Sequence, residues 1–445
     1  MSGIAEILLA LGFGVSGSDL KDSAATRRLR DLGARVWIGH NKDHLDITDV
    51  VVFSSAVTDD NPEIISAKER GIPVIQRAEM LAELMRMQTS IAVAGMHGKT
   101  TTTSMIASVL SSAGLDPTVV IGGKLNILGG GARLGQGDLL VAEADESDRT
   151  FLKLFPTIAV ITNIEMEHVD CYSNIVEIQD AFLTFVDRIP FYGYAVVCLD
   201  DPEIQNILPR IRKRVITYGL SSQAIFRAWK PSFEGGVSRF TVYKNDQALG
   251  QIRLPMPGLH NVLDSLAAIA VSDLFDIPFK DTGKALDSFP GVQRRFTVRG
   301  EAAGITVIDD YGHHPTEIRA ALQAARQMAL GRIAVVFQPH RYTRTKGLFD
   351  EFLTCFHDAD LLYITDIYPA SEQPIAGVTG EALCEGIRSR GHKTVRFLGR
   401  RELIAAEVVR DLKSGDMLIT LGAGDVTNLG PEILGELRKL EGKEK

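Results

Sequence analysis

The run Ala94-Gly95-Met96-His97-Gly98-Lys99-Thr100-Thr101-Thr102-Thr103 has the residue types and spacing to handle phosphate. It follows an apolar stretch at 91–94 and leads into a Thr/Ser-rich segment that reads as helix, the strand–turn–helix setting of a phosphate-binding loop. Glycines let the backbone amides turn inward as an anion cradle, and the helix N-terminus adds about half a positive charge. Lys99 would reach the outer phosphates of ATP, and the Thr100 hydroxyl would ligate Mg²⁺. The usual spacing has a glycine five residues before Gly98; that position is Val93, so the motif is a compact G-x-x-G-K-T.

Two further strand ends carry chemistry. The apolar stretch 139–142 runs into Glu143-Ala144-Asp145-Glu146-Ser147-Asp148. A carboxylate at that strand end sits where a Mg²⁺-binding acid of a phosphate-loop enzyme is placed, and Glu143 is the first choice. Asp145, Glu146 and Asp148 read equally well as a solvated acidic loop. The stretch 158–162 continues into Asn163-Ile164-Glu165-Met166-Glu167-His168. From spacing alone, His168 is as easily structural as a metal ligand, because Mg²⁺ favours oxygen donors.

These strand ends need parallel sheets to hold them. The first 88 or so residues alternate short apolar strands (15–17, 34–38, 50–54, 74–75) with helices (4–11, 23–32 and one opened by Asn61-Pro62), which predicts a parallel sheet with covering helices. The segment 224–252 alternates like hairpins, so the central region has a mixed sheet, closed by a helix over 261–275. A last α/β unit starts near Gly291, with strands at 306–309, 332–337, 361–365 and 417–421. A length of 445 residues suggests about three domains. At 45% hydrophobic and 23% charged residues, collagen-like, coiled-coil and disordered classes are excluded. The net charge of -8 gives nucleic-acid binding no support. No apolar run approaches the ~18 residues that span a bilayer, and the opening 4–15 lacks the basic leader of a signal peptide. Cys171, Cys198, Cys355 and Cys384 show no CxxC spacing, which fits a reducing cytoplasm better than zinc or disulfides.

Other motifs follow in order: Gly258-Leu259-His260-Asn261, Arg294-Arg295-Phe296, Asp309-Asp310-Tyr311-Gly312-His313-His314-Pro315 and Gln338-Pro339-His340-Arg341-Tyr342-Thr343-Arg344-Thr345. With the phosphate loop, the Glu143 run and the Thr162–His168 run, they make the whole chain resemble the Mur ligases, in particular the branch that couples L-alanine to UDP-N-acetylmuramate. The resemblance implies an α/β protein of three domains: an N-terminal Rossmann-like domain for the UDP-sugar (1–88), a central phosphate-loop ATPase with a mixed sheet (89–291), and a C-terminal Rossmann-like domain for the amino acid (292–445). It implies ATP-dependent formation of an acyl phosphate on the sugar's lactyl carboxylate, then attack by the amine. ATP would be held by Gly95, Met96, His97, Gly98, Lys99, Thr100, Thr101, His260, Asn261 and Arg295. Thr100, Glu143 and His168 would hold one or two Mg²⁺ ions. Tyr311, His340, Arg341 and Arg344 would bind the amino acid, the two arginines as fork-shaped donors to its carboxylate. Lys99, His168, Arg295, His313, Arg341 and Arg344 would carry catalysis, with His313 positioning substrate or receiving a proton. His314 reads as a helix start.

The opening departs from the family. Mur ligases carry a strand and a glycine-rich turn before the first helix, and only Met1-Ser2-Gly3 matches here. The expectation is a chain starting at an internal methionine, with about one strand and one turn (~15 residues) preceding it. Gly17, Ser18, Asp19, Ser54 and Ser55 are then the remaining uridine-side candidates. Two other readings compete: a ligase that attaches a recycled peptide to the same sugar, and a nucleotide-binding module without ligase activity.

Overall fold

The computed structural model describes residues 1–54, 57–121, 132–168 and 171–441. The N-terminal segment runs α1 (Ser2–Ala10), β1 (Ser16–Asp19), α2 (Ala24–Asp31), β2 (Arg35–Ile38), β3 (Val51–Phe53), α3 (Pro62–Glu69), β4 (Val74–Gln76) and α4 (Arg77–Arg86). Helix starts follow capping chemistry: the Ser23 hydroxyl accepts from the Thr26 amide, and Asn61 accepts from the Glu63 amide with Pro62 in the first turn. Helix α4 was not predicted. Its cap is Gln76, whose amide is taken by the Glu79 carboxylate, an arrangement with a weak sequence signature. Among the described residues the strands form two separate parallel pairs, β1 with β2 and β3 with β4, in place of the single sheet that the alternation predicts.

Next come β5 (Thr89–Ala94), α5 (Lys99–Ser112), β6 (Thr118–Val120), β7 (Ala132–Arg133), β8 (Leu139–Glu143), β9 (Ile158–Ile161), α6 (Ile175–Asp187), β10 (Tyr194–Cys198), α7 (Pro202–Ile207) and β11 (Arg214–Gly219). They are followed by β12 (Phe226–Glu234), β13 (Val237–Lys244), β14 (Gln247–Leu254), α8 (Leu259–Asp273) and α9 (Phe279–Asp287). The C-terminal segment contains β15 (Thr297–Ala302), β16 (Ile305–Asp310), α10 (Pro315–Met328), β17 (Ile333–Phe337), α11 (Tyr342–Gly347), α12 (Phe349–Phe352), β18 (Leu361–Ile364), α13 (Gly380–Ser389), β19 (Val395–Phe397), α14 (Ile404–Asp411), β20 (Met417–Leu421) and α15 (Leu429–Glu441).

These elements pack into two compact units. The first comprises Met1–Glu165, Ile175–Arg227 and Ser265–Ala285; the second comprises Met166–Asn174, Ala228–Asp264 and Leu286–Lys445. In the first unit the strands lie in the order β11-β10-β9-β5-β8-β6-β7, all parallel except β7. The inner strands are continuous apolar runs such as Ile91-Ala92-Val93-Ala94 because both faces of a parallel sheet are covered. Strand β5 therefore lies between β8 and β9, and all three end on the same edge.

In the second unit β13 pairs antiparallel with β14 through a two-residue turn at Asn245-Asp246, both with positive φ, as the hairpin pattern predicts. The C-terminal sheet has the order β15-β16-β20-β17-β18-β19, parallel apart from the edge strand β15. One face packs Phe337 among Phe352 and Phe356, with ring centroids 5.6 and 5.0 Å away. The other face packs Val336 and Leu418 against α14 and α15. Among the described residues Cys198, Cys355 and Cys384 form no disulfide. Among the described residues no helix is long and apolar enough to cross a membrane.

Phe337 is fully buried, and truncating such a ring costs about 3–5 kcal/mol. Phe337→Ala is expected to lower the urea midpoint of the C-terminal transition with little change in slope, measured by circular dichroism.

Candidate active site

The glycine turn after β5 owes its shape to β9. Gly95 has φ +136°, and a Cβ built on it would lie 2.1 Å from Thr162 Oγ1, so no other residue fits. The Thr162 hydroxyl donates to the His97 carbonyl at 2.6 Å, and the Asn163 side chain grips the same peptide from both sides. Its Nδ2 donates to the His97 carbonyl and its Oδ1 accepts the His97 amide, each at 2.9 Å. The His97 ring meets Glu165 at 3.0 Å. Gly98, with φ +81°, ends the turn and opens α5. Lys99 folds back, its Nζ donating to the carbonyls of Gly95 (2.6 Å) and Met96 (3.2 Å) and to Glu146 Oε1 (2.9 Å). Thr100 stands in the first turn of α5, and Thr101 is buried there.

Glu143 lies opposite Val93 in the pairing of β8 with β5, so its carboxylate is carried to the same edge as the turn, as expected. The acidic loop beyond it divides. Asp145 and Asp148 are exposed and accept local amides from Ser147 and Thr150, whereas Glu146 is fully buried on Lys99. The solvated-loop alternative thus fails for Glu146, because Lys99, at the start of α5, receives it. Cysteine-free oxygen donors from Thr100 and Glu143 suit Mg²⁺.

The uridine-side candidates Gly17, Ser18 and Asp19 lie on β1. Ser18 Oγ donates to Glu63 Oε2 at 2.7 Å and receives a hydrogen bond from His40 Nδ1 at 2.8 Å. Glu63 also meets His44 at 2.7 Å, and His44 stacks on Trp37 with ring centroids 4.5 Å apart. Asp19 is exposed and Gly17 has open space around a would-be Cβ. Ser54 follows β3, and Ser55 lies outside the described residues.

The second unit holds the remaining candidates. His168 has φ +53° and its Nε2 lies 3.8 Å from Glu167. Glu167 is buried and takes both Nε and Nη2 of Arg344, at 3.3 and 3.1 Å. Arg344 Nη1 donates to His340 Nδ1 at 3.1 Å, so that nitrogen carries no hydrogen. Burial, with His313 and the neighbouring arginines, pushes the His340 pKa down to about 3. The rings of Tyr311, His313, His340 and Tyr368 form a chain with successive centroids 5.4, 5.7 and 5.6 Å apart. Arg341 stands apart, half exposed, at φ +69°, with its Nε 3.8 Å from Glu372. Glu372 also binds the amide and hydroxyl of Thr343. A small pocket is lined by Glu167, His168, Arg341, Thr343 and Arg344 among others.

Arg295 donates to Glu317 at 3.1 Å and lies over the Tyr311 ring. His260 begins α8 against Gly258, and Asn261 is buried with its amide on the Pro257 carbonyl at 2.6 Å. His314 caps α10, as expected for a helix start. Glu63, Glu167 and Glu372 had no role in the sequence reading, although each fixes a candidate residue. A lone glutamate carries no local signal of its distant partner.

Three family profiles match successive stretches: "Mur ligase family, catalytic domain" over residues 1–89, "Mur ligase middle domain" over 93–272, and "Mur ligase, glutamate ligase domain" over 294–424. The UDP-N-acetylmuramate–L-alanine ligase of Geotalea daltonii is 56% identical over 99% of this chain and 96% of its own length. The chain belongs to the Mur ligase family. The enzyme of the same description from Myxococcus xanthus is 54% identical over 98% of this chain and 93% of its own. Among solved structures, the UDP-N-acetylmuramate–alanine ligase of Thermotoga maritima superposes with a TM-score of 0.80 at 28% identity, covering 99% and 97% of the two chains. A murein peptide ligase from Psychrobacter arcticus gives 0.69 at 26% identity, covering 98% and 96%. The chain has the mixed α/β, three-domain fold of the Mur ligases.

Asn163 makes two of the bonds that shape the turn. Asn163→Ala is expected to weaken ATP binding by about tenfold or more, at about 1 kcal/mol per lost hydrogen bond plus the unmet groups left behind, read by isothermal titration.

Proposed function

We propose that this chain is an ATP-dependent ligase that joins L-alanine to UDP-N-acetylmuramate in peptidoglycan precursor synthesis, in the cytoplasm. What carries the reading is the 56% identity to an L-alanine ligase over 99% of the chain. The phosphate turn built around Gly95, His97 and Lys99 supports it. Residues 1–88 are assigned to the UDP-sugar, 89–291 to ATP and 292–445 to the amino acid.

In this reading the amides of the turn other than those of Met96 and His97, which Asn163 takes, cradle the triphosphate together with the Lys99 ammonium. Lys99 exchanges the carboxylate of Glu146 for phosphate oxygens, so the buried pair keeps the lysine oriented while no anion is bound. Thr100 and Glu143 would hold Mg²⁺, with His168 as a ligand to a second ion; the metal would spread the negative charge that builds on the transferring phosphoryl group. A carboxylate approaching a phosphoryl group brings two anions together, and Lys99 and Arg295 offset that repulsion. Arg341 and Arg344 anchor the amino-acid carboxylate, with Tyr311 and His340 beside them. The His340 ring, neutral above a pKa of about 3, adds no competing positive charge that would bind the carboxylate elsewhere.

Phosphate release is expected only when ATP, UDP-N-acetylmuramate and L-alanine are all present. Release with a tripeptide but not with L-alanine would favour the peptide-recycling reaction, and ATP binding without release would favour a non-catalytic module. Lys99→Ala should abolish turnover. Because that change strands Glu146, Lys99→Ala/Glu146→Gln separates loss of catalysis from loss of folding. Arg344→Lys, which keeps the charge but loses the fork, should raise KM for L-alanine by about tenfold and leave KM for ATP nearly unchanged.

A further inference from the structure

Glu317 occupies the third position of α10, where a glutamate closes a capping box on the helix start. Its contacts go beyond a cap. Oε2 accepts the backbone amides of His313 (3.0 Å) and His314 (3.3 Å) and lies 3.2 Å from the His313 ring nitrogen Nδ1. Oε1 accepts from Arg295 Nη1 at 3.1 Å. One largely buried carboxylate therefore touches two candidate catalytic side chains on different segments.

The same geometry decides where the His313 hydrogen sits. Nδ1 faces the Glu317 carboxylate and the Tyr311 carbonyl, each at 3.2 Å. Both groups only accept, so Nδ1 must donate, and a neutral ring then keeps its lone pair on Nε2. Nε2 has no hydrogen-bond partner among the described residues. The ring is held edgewise between Tyr311 and His340, which leaves it little freedom to flip. The charged and titratable groups around it are Glu317, Arg344, Glu167, Tyr311 and His340. Burial pushes the His313 pKa down to about 4 while Glu317 opposes that shift, so the ring is neutral at physiological pH.

We propose that Glu317 is a positioning residue that holds His313 as the Nδ1–H tautomer, so that Nε2 takes the proton lost by the amine as the amide bond forms. The inference rests on the ligase reading above. In the step, the amine nitrogen bonds to the acyl carbon and the bond from that carbon to the phosphate oxygen breaks. Phosphate leaves with the electron pair, and the N–H proton passes to Nε2 and then to water.

A purely structural cap predicts something different, because glutamine serves a capping box as well as glutamate does. Glu317→Gln can keep an oxygen on the cap amides but then turns its NH2 toward Arg295, and it loses the charge. Loss of a group that orients another typically costs about tenfold to a hundredfold. We expect that drop in L-alanine-dependent kcat, little change in KM for ATP, and an acid limb of the pH profile moved to lower pH, since the carboxylate that favours protonated His313 is gone. Hydroxylamine, a weakly basic nucleophile already unprotonated at neutral pH, should still form hydroxamate from UDP-N-acetylmuramate within about twofold of wild type. His313→Asn should show the same split between the two nucleophiles and serves if the Glu317 variant folds poorly. Equal losses with both nucleophiles, or an unchanged alanine rate and pH profile, would overturn the proposal. A wild-type chain that releases no phosphate with either nucleophile sinks the ligase reading itself, and this inference with it.

Discussion

The structure depends on one close approach, that of the peptide at Gly95 to the end of β9. With a glycine at that point, Thr162 and Asn163 reach the His97 peptide and satisfy its amide and carbonyl from the side. The Met96 amide meets the Asn163 carbonyl at 3.4 Å, so the turn is held along its length against the residue that follows β9. Any side chain at Gly95 would push β9 away and release the loop. The parallel register of β8, β5 and β9 makes the approach possible, because it brings the carboxylate strand, the turn and the asparagine strand to one edge.

Carboxylates then hold the cations. Glu146 takes Lys99 in the first unit; in the second, Glu167 takes Arg344 and Glu317 takes Arg295. Buried ion pairs of this kind add little net stability, because desolvation offsets most of the attraction. Their effect is on orientation: each fixes where a guanidinium or ammonium group points. Asp310 works in the same way on the backbone, its two oxygens accepting the amides of Gly312 and Phe296 and fixing the loop that carries Tyr311 and His313.

The histidines follow a matching logic. His313 and His340 sit among arginines and aromatic rings, where burial disfavours the charged form. Neutral imidazoles with assigned tautomers can offer a lone pair beside fixed positive charge.

The sequence by itself determined the element types near the site and the identity of the residues that end them. Glycines, a lysine and threonines between an apolar strand and a helix define a phosphate turn through local backbone freedom and helix-end charge, so Gly95 to Thr101 and Glu143 were legible. The hairpin character of 224–252 was legible from its alternation, while the structure placed the turns at Gly235-Gly236 and Asn245-Asp246. The N-terminal strands were legible as strands but not as two separate pairs, since pairing depends on chain segments far apart. Only the tertiary structure decided which acid meets which base. The sequence left open whether Glu146 was solvated until the fold closed it over Lys99, and nothing in the run around Glu317 announces Arg295, 22 residues away in sequence. Spacing along the chain reports helix and strand geometry, whereas a salt bridge depends on distance across the fold, which the chain order of the residues does not contain.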